Sequence, residues 1–120
     1  MSQNQTKNIK IAISAIGKDL DSDIDKTFAR CAYFLIVDVD DNTVINTAFV
    51  ENKINEQASG AGVSAAELVA AQKVEAVISS NIGPRAMDVL TQFGIKVYQA
   101  SGNSNQAVND FINNKLTEIK

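Results

Sequence analysis

Five segments of the chain have the apolar, β-branched composition of strands. They are the alternating run Ile9 to Ile16, the arms Tyr33 to Val39 and Val44 to Val50, and the shorter runs Ala76 to Ile78 and Ile95 to Tyr98. Only the turn sequence Asp-Asp-Asn and a threonine separate the second segment from the third, so these two predict an antiparallel hairpin.

Three other segments predict helices. The first is rich in alanine, follows Gly60 and Gly62, and runs to about Lys73. Ser64 and Glu67 have the spacing of a capping box, which predicts that the regular part of this helix begins only at Ser64. The last helix is predicted around four apolar residues near the end of the chain: Ala107, Val108, Phe111 and Ile112.

The stretch from residue 75 to residue 100 organises the rest of the chain. Its helix begins at Gly83-Pro84 and ends at Gly94. The apolar stripe of this helix consists of Ala86, Val89, Leu90 and Phe93. With a strand on each side, the helix predicts a right-handed βαβ unit with parallel strands. Ligands of such sheets lie outside the carboxyl ends of the strands. The predicted working edge contains Ser79, Ser80, Asn81 and the free N–H groups before Arg85.

These elements predict one α/β domain from residue 9 to residue 120. A hairpin that leads into parallel strands predicts a mixed five-stranded sheet with about three helices packed on it. The strand order 3-2-1-4-5, with strand 2 antiparallel, is that of a ribonuclease H-like fold. Residues 1–8 are predicted to be a disordered tail, and the polar segment Glu51 to Ser59 a long connection that is either functional or mobile.

Composition and charge narrow the functional classes. A net charge of −3 and a pI near 4.8 argue against nucleic acid as a partner. No apolar run approaches the roughly 20 residues that span a bilayer, and the polar start of the chain lacks the apolar centre of a signal peptide. The single cysteine cannot form an internal disulfide, and the lack of histidine excludes imidazole catalysis and His-ligated metals. We expect an acidic cytoplasmic protein with no membrane partner.

The acidic run Asp19 to Asp25 does not match a calcium loop. An EF-hand counted from Asp19 needs Gly at its sixth position and Glu at its twelfth, where this chain has Ile24 and Arg30. A nuclease on the predicted fold would need carboxylates on the first strand, and Ile9 to Ile16 contains none. The acidic run Asp19 to Asp25 is therefore interpreted as a solvated loop.

Two glycine-containing helix starts are candidates for an anion site. Gly60-Ala61-Gly62 precedes a helix, but the third glycine of a dinucleotide-binding loop is replaced by Ala65. A bare backbone at the positive end of a helix can still hold an anion, and Gly83-Pro84 offers a second such start. If both starts open toward one edge, they form an anion pocket. The alternative is that the glycines only permit tight turns.

Arg30 and Cys31 are a further candidate. A cationic neighbour favours the thiolate, which is the form that ligates metal, so Cys31 could hold one corner of a preassembled cluster. The alternative is that Cys31 is a small buried residue at the start of a strand.

Several short motifs occur in an order that resembles a known family. They are the Ile-Ala-Ile-Ser first strand, Phe28-Ala29-Arg30-Cys31-Ala32-Tyr33-Phe34, Gly60-Ala61-Gly62, and Ile82-Gly83-Pro84-Arg85-Ala86 followed by Gly94-Ile95-Lys96-Val97-Tyr98. Over about residues 9–114 the chain resembles the dinitrogenase iron–molybdenum cofactor biosynthesis family, of the NifX and NifB C-terminal type, as a small stand-alone member. It departs at Thr27-Phe28-Ala29-Arg30, where the family commonly shows His-Phe-Gly-Arg. This departure removes a cluster ligand that the family pattern implies.

The resemblance implies a ribonuclease H-like fold and a non-catalytic role in metallocluster assembly, related to nitrogen fixation. The protein would bind, carry or shield an iron–sulfur or iron–molybdenum cluster, with other assembly proteins, such as a P-loop ATPase, as partners. Cys31 would be the metal ligand. The expected cofactor contacts are Arg30, Cys31, Gly60, Gly62, Ser79, Ser80, Asn81, Gly83 and Arg85.

Two alternatives to a carrier stay open. One is an interaction module that regulates a partner ATPase and has no cofactor of its own. The other is a small-molecule enzyme that uses the same pocket, which is disfavoured because no base lies beside a nucleophile in the sequence.

Overall fold

A computed structural model describes residues 8–53 and 59–119 of the protein. Within them, six strands form one mixed sheet in the order β3-β2-β1-β4-β5-β6. The strands are β1 (Asn8–Ala15), β2 (Tyr33–Asp40), β3 (Thr43–Glu51), β4 (Ala76–Ser79), β5 (Lys96–Gln99) and β6 (Thr117–Ile119). The three helices are α1 (Ala61–Ala71), α2 (Pro84–Gln92) and α3 (Ser104–Ile112). The predicted α/β domain with a mixed sheet and three helices is confirmed.

The strand pairing follows the predicted topology over the first five strands. β2 is antiparallel to both β1 and β3, whereas β1, β4 and β5 are parallel to one another. The prediction of five strands is wrong, because β6 pairs antiparallel with β5 and closes that side of the sheet. Thr117–Ile119 is too short to show a period in the sequence, and its pairing depends on the open edge of β5. The ribonuclease H-like assignment stays a prediction.

The sheet separates two apolar layers. Alternating residues of β1, β2, β4 and β5 face α1 and α2, and the residues between them face α3. The alanines of α1 let it lie close to the sheet, and Ala65, Ala66 and Val69 are completely buried there. On the opposite face, Val108 of α3 packs in the same cluster as Ile13 of β1. Both layers therefore depend on the same central strands.

Two predictions about helix ends are wrong. α1 begins at Ala61 and not at Ser64, because Gly60 adopts a left-handed conformation (φ 71°) that leads directly into the helix. The Ser64 N–H then donates within the helix to the Gly60 carbonyl, at 3.1 Å. Phe93 does not join the apolar stripe of α2. It lies just past the last helical residue and is 62% exposed. Gly94, with φ 75°, ends the helix as predicted.

The hairpin turn is confirmed, since Asp41 and Asn42 have the positive φ angles, 52° and 62°, that a tight two-residue hairpin loop needs. Of the predicted tail, Asn8 is the first residue of β1, and residues 1–7 lie outside the described residues. Most of the predicted long connection, residues 54–58, also lies outside them. None of the helices in the described ranges has the length and apolar character needed to cross a membrane.

Candidate functional site

Two serines lie side by side at the carboxyl ends of β1 and β4. The Ser14 hydroxyl donates to the Ser79 hydroxyl at 3.0 Å, and the Ser79 hydroxyl donates to the Asn81 carbonyl at 3.4 Å. Both serines are completely buried, so Ser79 lies beneath the predicted working edge and does not face solvent there. Its pairing with Ser14 satisfies the hydroxyl and allows this burial. Ser80 is half-buried and Asn81 is exposed, so the edge opens to solvent only beyond Ser79.

The first turns of α1 and α2 meet at this edge. A β-carbon added to Gly62 would lie 3.5 Å from the β-carbon of Ala86, so the two helices touch at their starts. Neither cap residue, Gly60 or Gly83, supplies a side-chain hydrogen bond. The first intrahelical bonds are donated by Ser64 and Met87. The N–H groups that precede them are not used by the helices. They belong to Ala61, Gly62, Val63, Arg85 and Ala86.

At the start of α3, in contrast, the backbone N–H groups are already hydrogen-bonded. Asn103 accepts a bond from the Gln106 N–H at 3.0 Å, and the N–H groups of Ser104 and Asn105 donate to carbonyls of Ser22 and Leu20. The acidic loop therefore covers this helix start. In the described part of the chain, no group of three or more His, Cys, Asp or Glu side chains is arranged to hold a metal ion.

The side-chain charge in the first turns of α1 and α2 is positive. Neither helix has an acidic residue in its first turn, and Arg85 lies in the first turn of α2. A cation there is unfavourable, because the N-terminus of a helix carries a partial positive charge. Arg30 is also exposed, on a segment tied to this edge by a 2.9 Å bond from the Phe28 N–H to the Asn81 carbonyl. This arrangement is favourable when an anion binds.

Cys31 lies beneath this edge and is completely buried. Burial raises the pKa of the thiol to about 12, repulsion from Asp25 adds to the rise, and hydrogen bonds from Asn52 and from backbone N–H groups oppose it. The expectation that Arg30 favours the thiolate is wrong, because desolvation outweighs the effect of a neighbour whose side chain is exposed. A role for Cys31 as a metal ligand stays a prediction.

Asn52 was missed by sequence reasoning. Its side-chain amide donates to the carbonyls of Ala29 and Cys31 at 3.0 and 2.9 Å and lies 3.8 Å from the Cys31 sulfur. It is 1% exposed, although it belongs to a polar segment that was predicted to be a connection. Ser14 was likewise treated as the polar half of an alternating strand. Neither residue carries a local signal, since their partners lie 21 and 65 residues away along the chain.

Comparison with known proteins identifies the family. The family model described as dinitrogenase iron-molybdenum cofactor matches residues 9–114. The chain belongs to the dinitrogenase iron–molybdenum cofactor family. The resemblance seen in the short motifs is therefore confirmed.

This family member is similar to proteins of known structure and to a further relative compared by sequence. The apo form of the orange protein from Desulfovibrio gigas is 31% identical, with a TM-score of 0.83 and 92% of each chain covered. The solution structure of a candidate NifB protein from Thermotoga is 35% identical, with a TM-score of 0.75 and 92% of each chain covered. An uncharacterised protein of Methanocaldococcus jannaschii is 32% identical over 117 residues, which are 96% of this chain and 99% of that protein. These relatives are small proteins of the same extent as this chain.

Proposed function

We propose that this protein is a non-catalytic carrier for an anionic metal cluster of the iron–sulfur or iron–molybdenum type. The cluster is its cargo and binds at the edge formed by the first turns of α1 and α2, named here the α1–α2 edge. The observation that carries the proposal is the close approach of these two uncapped helix starts. They are so near that a β-carbon added to Gly62 would lie 3.5 Å from the β-carbon of Ala86, and the chain belongs to a family named for the iron–molybdenum cofactor.

Electrostatics favour an anion at the α1–α2 edge. Two helix dipoles end there, and the backbone N–H groups of each first turn have no partner within the helix. Arg30 and Arg85 add positive charge in a chain whose net charge is −3. Because α3 is already capped by Asn103 and by the acidic loop, the same attraction does not operate at its start.

The residues at the edge fit a cluster whose metals already carry their own inorganic ligands. Backbone N–H groups and guanidinium groups donate hydrogen bonds to anionic sulfur or oxygen, and they form no bond to metal. Cys31 is buried and protonated at neutral pH, so it bonds to metal only if the segment around it moves. Ser80 and Asn81 contribute polar atoms beside the cargo, and the buried Ser79 supports them from below.

A carrier receives its cargo from one protein and gives it to another. We infer that the partners are metallocluster assembly proteins in the cytoplasm, among them a P-loop ATPase. Any single contact with the cargo is weak, because the edge is open to solvent at Asn81 and Arg85. Weak contacts suit transfer, since a cluster that is bound too tightly is not released.

A second candidate function is an interaction module without a cofactor. Its support is an exposed apolar group near the same end of the sheet. Phe49 is 48% exposed and packs edge-on against Tyr33 at 5.7 Å, and the Lys18 ammonium lies over both rings. Ile16, at 56% exposure, follows the end of β1. Aromatic residues beside a cation are common in protein interfaces.

Anaerobic purification tests the carrier function. Metal and inorganic sulfide per chain, with an absorption spectrum, are measured for the wild type, Arg85→Glu and the control Lys96→Glu, which changes an exposed charge on β5. We expect a loaded wild type, a loaded control, and about tenfold lower retention in Arg85→Glu, the effect of losing a charge-assisted bond. Equal retention in both variants would show that the cargo lies elsewhere. A metal-free wild type that also binds no anion would favour the interaction module.

A further inference from the structure

Asn52 connects the end of β3 to the segment that carries Arg30 and Cys31. Its backbone N–H donates to the Ala32 carbonyl at 3.0 Å, and its side-chain amide donates to the carbonyls of Ala29 and Cys31 at 3.0 and 2.9 Å. One buried residue therefore binds three carbonyls of a four-residue segment.

These hydrogen bonds fix the directions of the Arg30 and Cys31 side chains. Because the carbonyls of Ala29 and Cys31 are both turned toward Asn52, the backbone of the segment is held in one orientation. In that orientation the Cys31 side chain is completely buried and the Arg30 side chain is exposed. At its other end the segment is held to the α1–α2 edge by the bond from Phe28 to Asn81.

We propose that Asn52 is a positioning residue of the α1–α2 edge, which acts by keeping Arg30 directed outward and the thiol of Cys31 directed inward. This inference rests on the proposed function, because it assigns to Arg30 the contact with the anion. Asn52 does not touch the cargo itself. Its effect on binding passes through Arg30, and its effect on the thiol passes through the Cys31 carbonyl and through its own contact with the Cys31 sulfur at 3.8 Å.

The chemistry of the amide explains why asparagine serves here. The –NH₂ group provides two donor hydrogens, which match the two side-chain bonds to carbonyls. Alanine provides neither, so Asn52→Ala leaves both carbonyls without this donor. Serine provides one hydroxyl donor on a shorter side chain, so Asn52→Ser should have an intermediate effect.

The first test measures the reaction rate of Cys31 with a thiol reagent under native conditions. The control is Asn103→Ala, which removes a side chain that also ties two segments together by accepting from Gln106 and donating to Asp21, at the start of α3. We expect a rate at least about tenfold higher in Asn52→Ala, because solvent exposure of the released thiol removes the desolvation that dominates its raised pKa and outweighs the loss of the bond from Asn52. We expect an intermediate rate in Asn52→Ser and a rate within about twofold of the wild type in Asn103→Ala. If Asn52→Ala does not fold, Asn52→Ser and the control decide the result. Equal rates in the variants at residues 52 and 103 would overturn the inference.

The second test measures the affinity for inorganic molybdate, used as a tetrahedral dianion, in Asn52→Ala, Arg30→Ala and the double variant. If Asn52 acts through Arg30, the double variant binds no more weakly than Arg30→Ala, because the two losses are not additive. Additive losses would show that Asn52 has only a general structural role. A wild type that binds no molybdate would count against the anion site, whereas the thiol rates would still decide whether Asn52 holds Cys31 inward.

Discussion

The thiol of Cys31 accepts from the backbone of Ala15 at the carboxyl end of β1, belongs to the same apolar cluster as Phe28 and Phe34, and lies 3.8 Å from the amide nitrogen of Asn52. Its sequence neighbour Arg30 predicts an activated cysteine, but the enclosure determines the chemistry. In a medium of low polarity the charged thiolate is unfavourable, and hydrogen bonds from Asn52 and from backbone N–H groups compensate only partly.

The raised pKa of Cys31 predicts how stability depends on pH. Below pH 9.0 the thiol is protonated in both the folded and the unfolded chain, and between 9.0 and about 12 only the unfolded chain ionises. The free energy of unfolding therefore falls in this range, by up to about 1.4 kcal/mol per pH unit. Urea unfolding of the wild type and of Cys31→Ala at about pH 8 and pH 10.5 measures this effect. Between the two pH values the free energy of unfolding of the wild type should fall by about 2 kcal/mol relative to that of the variant. An unchanged difference between the two proteins would mean that the thiol is accessible in the folded state.

The sequence predicted Arg30 and Cys31 as candidate site residues but not the buried Asn52 that binds their segment. Residues that are adjacent in the chain, such as a cation next to a thiol, can be recognised from the sequence alone. The partnership of Asn52 with Cys31 spans 21 residues, and that of Ser14 with Ser79 spans 65. Such pairs exist only after the strands have assembled into a sheet, which is why the buried half of the site could not be predicted.

The two helix starts are the elements that define the α1–α2 edge. The sequence predicted both from glycine and proline, since these residues act on the local backbone. It placed the start of α1 wrongly. The spacing of Ser64 and Glu67 fits a capping box, but the left-handed conformation of Gly60 lets the helix begin earlier, at Ala61. β6 was missed for a different reason, since a three-residue strand forms only where a neighbouring edge is open.

The two glycines of α1 predict opposite effects of alanine on stability. Gly60 has φ 71°, a conformation in which an L side chain is strained, so Gly60→Ala should cost about 1–2 kcal/mol. Gly62 lies inside the helix, where an added methyl would make an ordinary contact with Ala86 at 3.5 Å. Gly62→Ala should therefore stabilise the protein by about 0.5–1 kcal/mol. Thermal unfolding measures both changes, and a destabilised Gly62→Ala would show that the helix starts are packed more tightly than this contact indicates.

At the scale of the whole molecule, one sheet serves two apolar layers. The central strands contribute side chains to the α1 and α2 face and to the α3 face alternately, so we expect the two layers to unfold together. The order of the first five strands followed from the sequence, because short connections and right-handed crossovers leave few topologies.

Matched leucine substitutions test this shared core. Leu90 of α2 and Leu35 of β2 are both completely buried, on opposite faces of the sheet. Leu90→Ala and Leu35→Ala should each lower the free energy of unfolding by about 2–5 kcal/mol. In urea unfolding, far-ultraviolet circular dichroism and tyrosine fluorescence should report one coincident transition in both variants. Separate transitions for the two signals would show that the layers unfold independently.

The central claim is that the joined starts of α1 and α2 form the anion site, and an amide-resolved NMR titration with molybdate tests it most directly. The account predicts saturable shifts in the N–H signals of Ala61, Gly62, Val63, Arg85 and Ala86, with the start of α3 unaffected because its N–H groups are already bonded. Shifts that are strongest at Ser104 and Asn105, or that are absent from both α1 and α2, would contradict it.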